Sequence, residues 1–269
     1  MPIDLHGLPI AITGASSGIG AATALACARA GMPVALAARR MDRLEDLVRD
    51  ITALGGRAVA VACDVTNPED CAALVDRTVA EFGSIYSVFA NAGYGIEGRA
   101  HEITDKDWRA IFETNFYGTL WTIRPALKHM LASKRGHVLI CTSCVAKSGV
   151  PYLAAYTATK AAQDHVGRAM RLELEGTGVH VSTVHPIGTV TEFSQVVREK
   201  SGNTRFAETP KGLKQTAEHV ASTIVRGLAR GGPGEIWPSL AARLVFGAGT
   251  TFPGLADFIL RRHLAKKRG

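Results

Sequence analysis

From residue 8 onward the chain repeats one unit, a short apolar β-like run followed by a stretch with helical periodicity. The runs fall at 8–13, 34–38, 58–62, 85–90, 137–142 and 179–185, with a shorter one near 235–237. Several are almost continuously apolar rather than alternating, as parallel strands covered on both faces are. Helical patterns lie between them, at 19–30, 42–54, 68–82, 105–131, 156–176 and 216–229. Some ends are marked. Asn67-Pro68 offers an N-cap and a first-turn proline, followed by the acids Glu69 and Asp70, and Gly31, Gly55 and Gly83 stand where helices should stop. Repeated β-α-β units imply right-handed crossovers and an α/β fold built on a doubly wound parallel sheet. Ligands of such sheets bind beyond the carboxyl ends of the strands, which directs attention to the residues just after each run.

The chain has 269 residues and no repeat or low-complexity linker, so a single large domain is expected over 1–238, with an extension over 239–269. Its five cysteines suit buried free thiols in a reducing compartment rather than a disulfide framework. The opening MPIDLHGLPIAITG lacks a basic stretch followed by a long apolar one, so no signal peptide is expected and the location reads as cytoplasmic. Net charge is +7, but residues 239–269 carry +5 of it, leaving +2 for the rest. The basic character belongs to the tail, and no nucleic-acid partner is expected. The extension reads as a short helix packed on or beside the domain with a solvated basic end. The alternatives are a cover over the active site, a subunit contact, or a peripheral contact with an anionic membrane.

The first run leads directly into Thr13-Gly14-Ala15-Ser16-Ser17-Gly18-Ile19-Gly20 and then a helix. Glycines there allow a tight turn and close backbone approach to a pyrophosphate, which the helix N-terminus favours. The second run ends in Arg39-Arg40, with no acid before Asp42. An acid at this point would bind a ribose 2′-hydroxyl, whereas an arginine fork suits a 2′-phosphate. NADP(H) is therefore the expected cofactor, with Arg39 ahead of Arg40. Asp64, after the third run, could accept from the adenine amino group, and Asn91-Ala92-Gly93 after the fourth would let a cofactor lie close.

Tyr156 and Lys160 stand four apart at the start of a helical pattern and so share one face. A phenol titrates near 10, and a neighbouring ammonium favours its ionised form. Ser143, at the end of the fifth run, could hold a substrate oxygen. Asn115 interrupts a long helical pattern as a poor helix former, which invites a specific role such as holding a water beside Lys160.

TGASSGIG (13–20), NAG (91–93), Asn115, Ser143, YTATK (156–160) and Pro186 together resemble the short-chain dehydrogenase/reductase family, in its order and spacing, over about residues 8–193. The resemblance implies a Rossmann-type sheet with helices on both faces and an Asn115–Ser143–Tyr156–Lys160 tetrad. It also implies dinucleotide contacts at Gly14, Ser16, Ser17, Gly18, Ile19, Gly20, Arg39, Arg40, Asp64, Val65, Asn91, Ala92, Gly93, Tyr156, Lys160, Pro186, Thr189 and Thr191. The activity implied is hydride exchange between NADP(H) and a carbonyl or secondary alcohol, with Tyr156 as general acid and base. A dinucleotide-binding regulator without turnover is the alternative, which would need the glycine loop but not Tyr156 and Lys160. Family members often form homodimers or homotetramers, here expected through 105–131 and 156–176. Where the family often has Pro-Gly, this chain has Pro186-Ile187-Gly188.

Other features are read conservatively. Cys141-x-x-Cys144 lacks a second Cys/His pair, so no metal is expected, although Cys144 could touch substrate or oxidise. His185 should shape the edge of the pocket. Residues 192–215 should cover the substrate, and Val150, Pro151, Tyr152, Leu153 and Phe193 suggest an apolar ketone, 3-oxoacyl or steroid-like compound.

Overall fold

Six of the expected runs form consecutive strands in the computed structural model, which describes residues 2–201 and 214–268. They are β1 (Ile10–Thr13), β2 (Val34–Ala38), β3 (Ala58–Ala62), β4 (Ser87–Ala90), β5 (Gly136–Cys141) and β6 (Val179–Val184). Two short strands, β7 (Thr189–Val190) and β8 (Gln215–Thr216), pair only with each other, and β9 (Gly234–Ile236) closes the far edge of the main sheet. The main sheet has the order β3-β2-β1-β4-β5-β6-β9, and every pairing is parallel. Strand order reverses between β1 and β4, which opens the crevice where doubly wound sheets bind ligands.

Helices α1 (Gly18–Arg29), α2 (Met41–Ala53) and α8 (Ala217–Arg230) cover one face of this Rossmann-type sheet; α3 (Pro68–Phe82), α5 (Gly118–Ala132) and α6 (Ala154–Glu173) cover the other. Ile10 and Ile12 enter the first core and Ala11 the second, because side chains alternate across a strand. Strands β1, β2, β4 and β5 are buried throughout, whereas the edge strand β3 is only partly covered. Asn67 caps α3 by accepting from the Glu69 amide at 3.1 Å, and Gly83 ends it in the left-handed region.

The single helix expected over 105–131 is broken. Helix α4 (Asp105–Phe112) passes into a π-helical turn, Glu113–Tyr117, before α5 resumes. Such turns insert one residue into the helical register and concentrate at functional sites. Here the turn carries Asn115. After β7, α7 (Phe193–Ser201) begins the 192–215 segment, part of which lies outside the described residues. The extension forms α9 (Leu240–Thr251) and α10 (Pro253–Arg268). Ala242 and Phe246 pack beneath α9, while Leu240, Leu244, Val245, Phe252, Leu255 and Phe258 face outward. Among the described residues no helix is long and apolar enough to cross a membrane.

His137 is fully buried within β5, with Nε2 2.9 Å from Ser182 Oγ, and burial together with His180 pulls its pKa down to about 3. The unfolded chain therefore binds this proton first. Stability from this group is intact above a pH of about 6.5 and falls by about 1.4 kcal/mol per pH unit below it. His137→Gln should flatten the acid side of the stability curve, measured by denaturant unfolding between about pH 7 and pH 4.5. An unchanged slope would exclude His137 as the group responsible.

Candidate active site

Thr13 ties the two strands at the crevice together. Its Oγ1 accepts from the Asn91 and Ala92 amides at 3.0 and 3.3 Å, and Asn91 Nδ2 donates to the carbonyls of Thr13 and Gly14. Gly14 and Gly18 have φ of +65° and +56°, a backbone region that disfavours side chains. At Gly20 the constraint is contact, since a Cβ would lie 2.3 Å from the Gly14 carbonyl oxygen.

The start of α1 lacks the cap that four other helices carry. Asn67, Thr104, Thr216 and Ser239 cap α3, α4, α8 and α9 with side-chain oxygens. Ser17 makes no such bond, and the first turn of α1 holds no acid. Its leading amides and positive dipole end are left for an anion. This arrangement fits the pyrophosphate of a dinucleotide.

The arginines after β2 part company. Arg39 is largely exposed, with one ion pair of 3.9 Å to Asp64. Arg40 instead donates to Ser16 Oγ at 3.0 and 3.2 Å, to Ser17 Oγ at 3.0 Å, and to Glu192 Oε2 at 3.0 Å. Arg43 Nη1 reaches the other oxygen of Glu192 at 2.7 Å. The Arg40 hydrogen bond, reinforced by Arg43, holds the Glu192 carboxyl below its ordinary range. A carboxylate is thus gripped by two guanidiniums beside the glycine loop. Arg43 and Glu192 were not among the expected site residues; Arg43 falls one helical turn after Arg39, a spacing that could have flagged it.

Asp64 accepts from the amide and hydroxyl of Thr66 at 3.0 and 2.8 Å. The side chain of Val65 is buried in the core, where it crosses close to Gly118, so its backbone is what it can offer a ligand. Ile19 likewise packs against the core behind the loop.

On α6, Lys160 is buried, and its Nζ donates to the Cys141 carbonyl at 2.7 Å while lying 5.6 Å from the centre of the Tyr156 ring. Burial lowers its pKa. Burial also pushes the Tyr156 phenol up, and the Ser143 hydroxyl pulls it part of the way back. Ser143 stands just past β5, with its hydroxyl 3.5 Å from the Pro186 carbonyl and accepting from the Val145 amide at 3.4 Å. Ser143, Tyr156 and Lys160 therefore converge.

Asn115 joins them from the π turn, fully buried, in a different way from the expected one. Its amide braces the backbone of Tyr94, accepting from Tyr94 N at 3.0 Å and donating to Tyr94 O at 2.9 Å, and it also donates to Thr159. Its carbonyl takes Gln163 Nε2 at 2.6 Å and Thr119 Oγ1 at 2.7 Å. The side chain anchors the strand-to-loop turn. Gly93 fits beneath it, where a Cβ would come within 3.0 Å of Asn115 Oδ1 and 3.6 Å of Lys160 Nζ.

Phe193 of α7 roofs the site, its ring centre 5.4 Å from that of Tyr156. Thr191 leans on Gly18. Thr189 sits in β7 with its hydroxyl 3.2 Å from the Ile187 carbonyl. The Tyr152 carbonyl accepts from the Gly98 amide at 2.8 Å, pinning the loop before α6, and Tyr152 itself has a φ of +67°. The extra residue after Pro186, Ile187, is absorbed by burial against Cys144 and Ala242.

Two further expectations need correction. Cys144 is buried beneath α9, and burial pushes its thiol up to about 12, so it carries no reactive thiolate. His185 is not at the pocket edge. It is fully buried behind Ser143, stacked on Trp237 at 4.4 Å.

Comparison with known proteins agrees with this arrangement. The short chain dehydrogenase family matches residues 9–202. An uncharacterized oxidoreductase of Listeria innocua is 33% identical over 217 residues, covering 80% of this chain and 88% of that one. The 11-beta-hydroxysteroid dehydrogenase 1A of Arabidopsis thaliana is 37% identical over 194 residues, covering 71% and 55%. The alcohol dehydrogenase of Thermococcus sibiricus, solved with 5-hydroxy-NADP, superposes with a TM-score of 0.75 at 27% identity, covering 86% of this chain and 95% of that one. With the crevice, the uncapped α1 and the Ser143–Tyr156–Lys160 cluster in one place, the chain belongs to the short-chain dehydrogenase/reductase family of oxidoreductases.

Proposed function

We propose that the chain interconverts a carbonyl and a secondary alcohol with NADP(H), using Tyr156 as general acid and base. The observation that carries this reading is the Tyr156 ring 5.6 Å from the buried ammonium of Lys160 on one face of α6, with Ser143 just past the end of β5. The nicotinamide, when bound, supplies or takes the hydride. The chain's own part is orientation and proton transfer. Ser143 holds the substrate oxygen, Tyr156 passes it a proton, and Lys160 favours the phenolate left behind. A phenol titrates near 10 and so carries its proton at neutral pH, which suits reduction.

The pyrophosphate falls to the amides of residues 14–20, and the 2′-phosphate to Arg40 and Arg43, which already grip the carboxylate of Glu192. Arg40 takes precedence over Arg39 because only Arg40 bonds to Ser16 and Ser17. The check is direct. Arg40→Ala should weaken NADPH binding by about 1.5–3 kcal/mol, the worth of hydrogen bonds to charged groups, and NADH far less; Arg39→Ala should do little to either. Wild-type protein that binds NADH more tightly than NADPH would refute the NADP assignment.

The substrate class is an apolar ketone or its alcohol. Phe193 over Tyr156 and the neighbouring Val150–Leu153 loop support that choice. Following NADPH oxidation against ketones, aldehydes, quinones and 3-oxoacyl thioesters tests it, and turnover confined to small polar aldehydes would reject it. Assembly into a homodimer or homotetramer is part of the same reading. It is supported by an open groove of about 580 Å³ lined by Trp108, Phe112, Tyr117 and Trp121. A strictly monomeric sedimentation profile would remove this part.

A further inference from the structure

Behind Ser143, away from the substrate side, lies a buried polar circuit that the mechanism above does not use. His185 Nδ1 is 3.2 Å from Thr142 Oγ1 and 3.3 Å from the Ser143 carbonyl oxygen. The Thr142 hydroxyl proton is committed to the Val184 carbonyl at 2.6 Å, and a carbonyl has no proton to give. Both partners can only accept, so Nδ1 carries the proton. On the other side of the ring, Nε2 lies 3.0 Å from Thr183 Oγ1, a hydroxyl able to donate. A proton on Nδ1 satisfies the two acceptors on that side, and Nε2 can accept from Thr183.

The ring is fixed as well as oriented. Trp237 stacks on it at an interplanar angle of 8°, and its indole donates to Glu235 Oε2 at 2.8 Å. Lys147 bridges Glu235 Oε1 and Asp164 Oδ2 at 2.6 and 2.7 Å, and Asp164 Oδ1 stands 3.4 Å from His185 Nε2. Two carboxylates and an imidazole lie close enough for a cation, and the ammonium of Lys147 already bridges the two carboxylates. Four elements therefore meet on one histidine: β6, β9, α6 and the 3₁₀ turn Cys144–Lys147 that follows Ser143.

We propose that His185 is a positioning residue: its Nδ1–H grips the Ser143 carbonyl, and so fixes the backbone that aims the Ser143 hydroxyl at Tyr156 and the substrate oxygen. The inference rests on the role given to Ser143 above. Displacement of a reacting group by about an ångström can cost about 100-fold in rate. His185→Phe keeps a ring against Trp237 and removes the donor. It should lower kcat by about 10–100-fold while leaving the KM for NADPH unchanged. His185→Asn carries its amide nitrogen close to the position of Nδ1 and should restore most of kcat, which a merely space-filling role would not allow. Full activity in the Phe variant, or equal losses in both variants, would overturn the proposal. Nitrogen-15 NMR of the wild-type imidazole gives a readout independent of turnover and of variant folding. A proton on Nδ1 is expected, and a ring protonated at Nε2 alone would also overturn it. A wild-type protein that turns over no carbonyl would instead count against the proposed function, while the tautomer would still report on the circuit.

Discussion

Tyr156→Phe should reduce carbonyl turnover by about 10²–10⁴-fold, the usual contribution of a positioned acid or base, with NADPH binding nearly unchanged. The substitution removes one oxygen and leaves the ring that packs under Phe193. It also leaves the crevice intact, because the glycine loop of residues 14–20 and Arg40, proposed above to hold the phosphates, does not include Tyr156. The measurement is steady-state NADPH oxidation alongside a fluorescence titration of NADPH. Loss of turnover together with loss of binding would mean that Tyr156 is structural. Retained turnover would mean that another group moves the proton, and a dinucleotide-binding regulator would show no wild-type turnover at all.

The second large effect belongs to Gly20. Adding only a methyl group there should abolish tight dinucleotide binding and cost about 1–3 kcal/mol of stability, the usual penalty for overpacking. The reason is the identity of the neighbours: the new Cβ would meet the carbonyl oxygen and carbon of Gly14 at 2.3 and 2.9 Å and Asn91 Nδ2 at 2.7 Å. None of these is the loose end of a flexible side chain. Asn91 is held by the same two carbonyls that shape the loop, so α1 must shift or the turn must open. Gly247→Ala, in the exposed middle of α9 with nothing within 4 Å, is the control and should leave binding unchanged. Equal melting and equal NADPH affinity for Gly20→Ala and the wild type would show that the loop tolerates what its geometry forbids.

Much of this was legible in the residues because it rests on local rules. Near-continuous apolar runs gave the parallel strands to within two residues at either end, and Asn67-Pro68 and Gly83 marked the limits of α3 as found. Spacing put Tyr156 and Lys160 on one helix face, and a glycine-rich turn between the first strand and first helix pointed to the crevice. What could not be read depends on contacts between distant segments. The π turn at Glu113–Tyr117 has no composition of its own; only the awkwardness of Asn115 in a helix hinted at it. Arg39 and Arg40 are equivalent as letters, and the difference between them comes from Glu192, about 150 residues away. Cys144 and His185 both follow strands, where ligand-facing residues gather, yet α9 covers one and Trp237 the other.

The small parallel pair β7–β8 has a consequence of its own. Thr189 meets Gln215 and Val190 meets Thr216, so the chain leaves and rejoins the body at a single clasp. The excursion between those two strands is tethered at its base, and its described residues contribute no strand to the main sheet. Doubling the length of such a tethered stretch costs only about 0.6 kcal/mol of closure entropy. Lengthening it is therefore cheap, and the seven-stranded frame need not change with it.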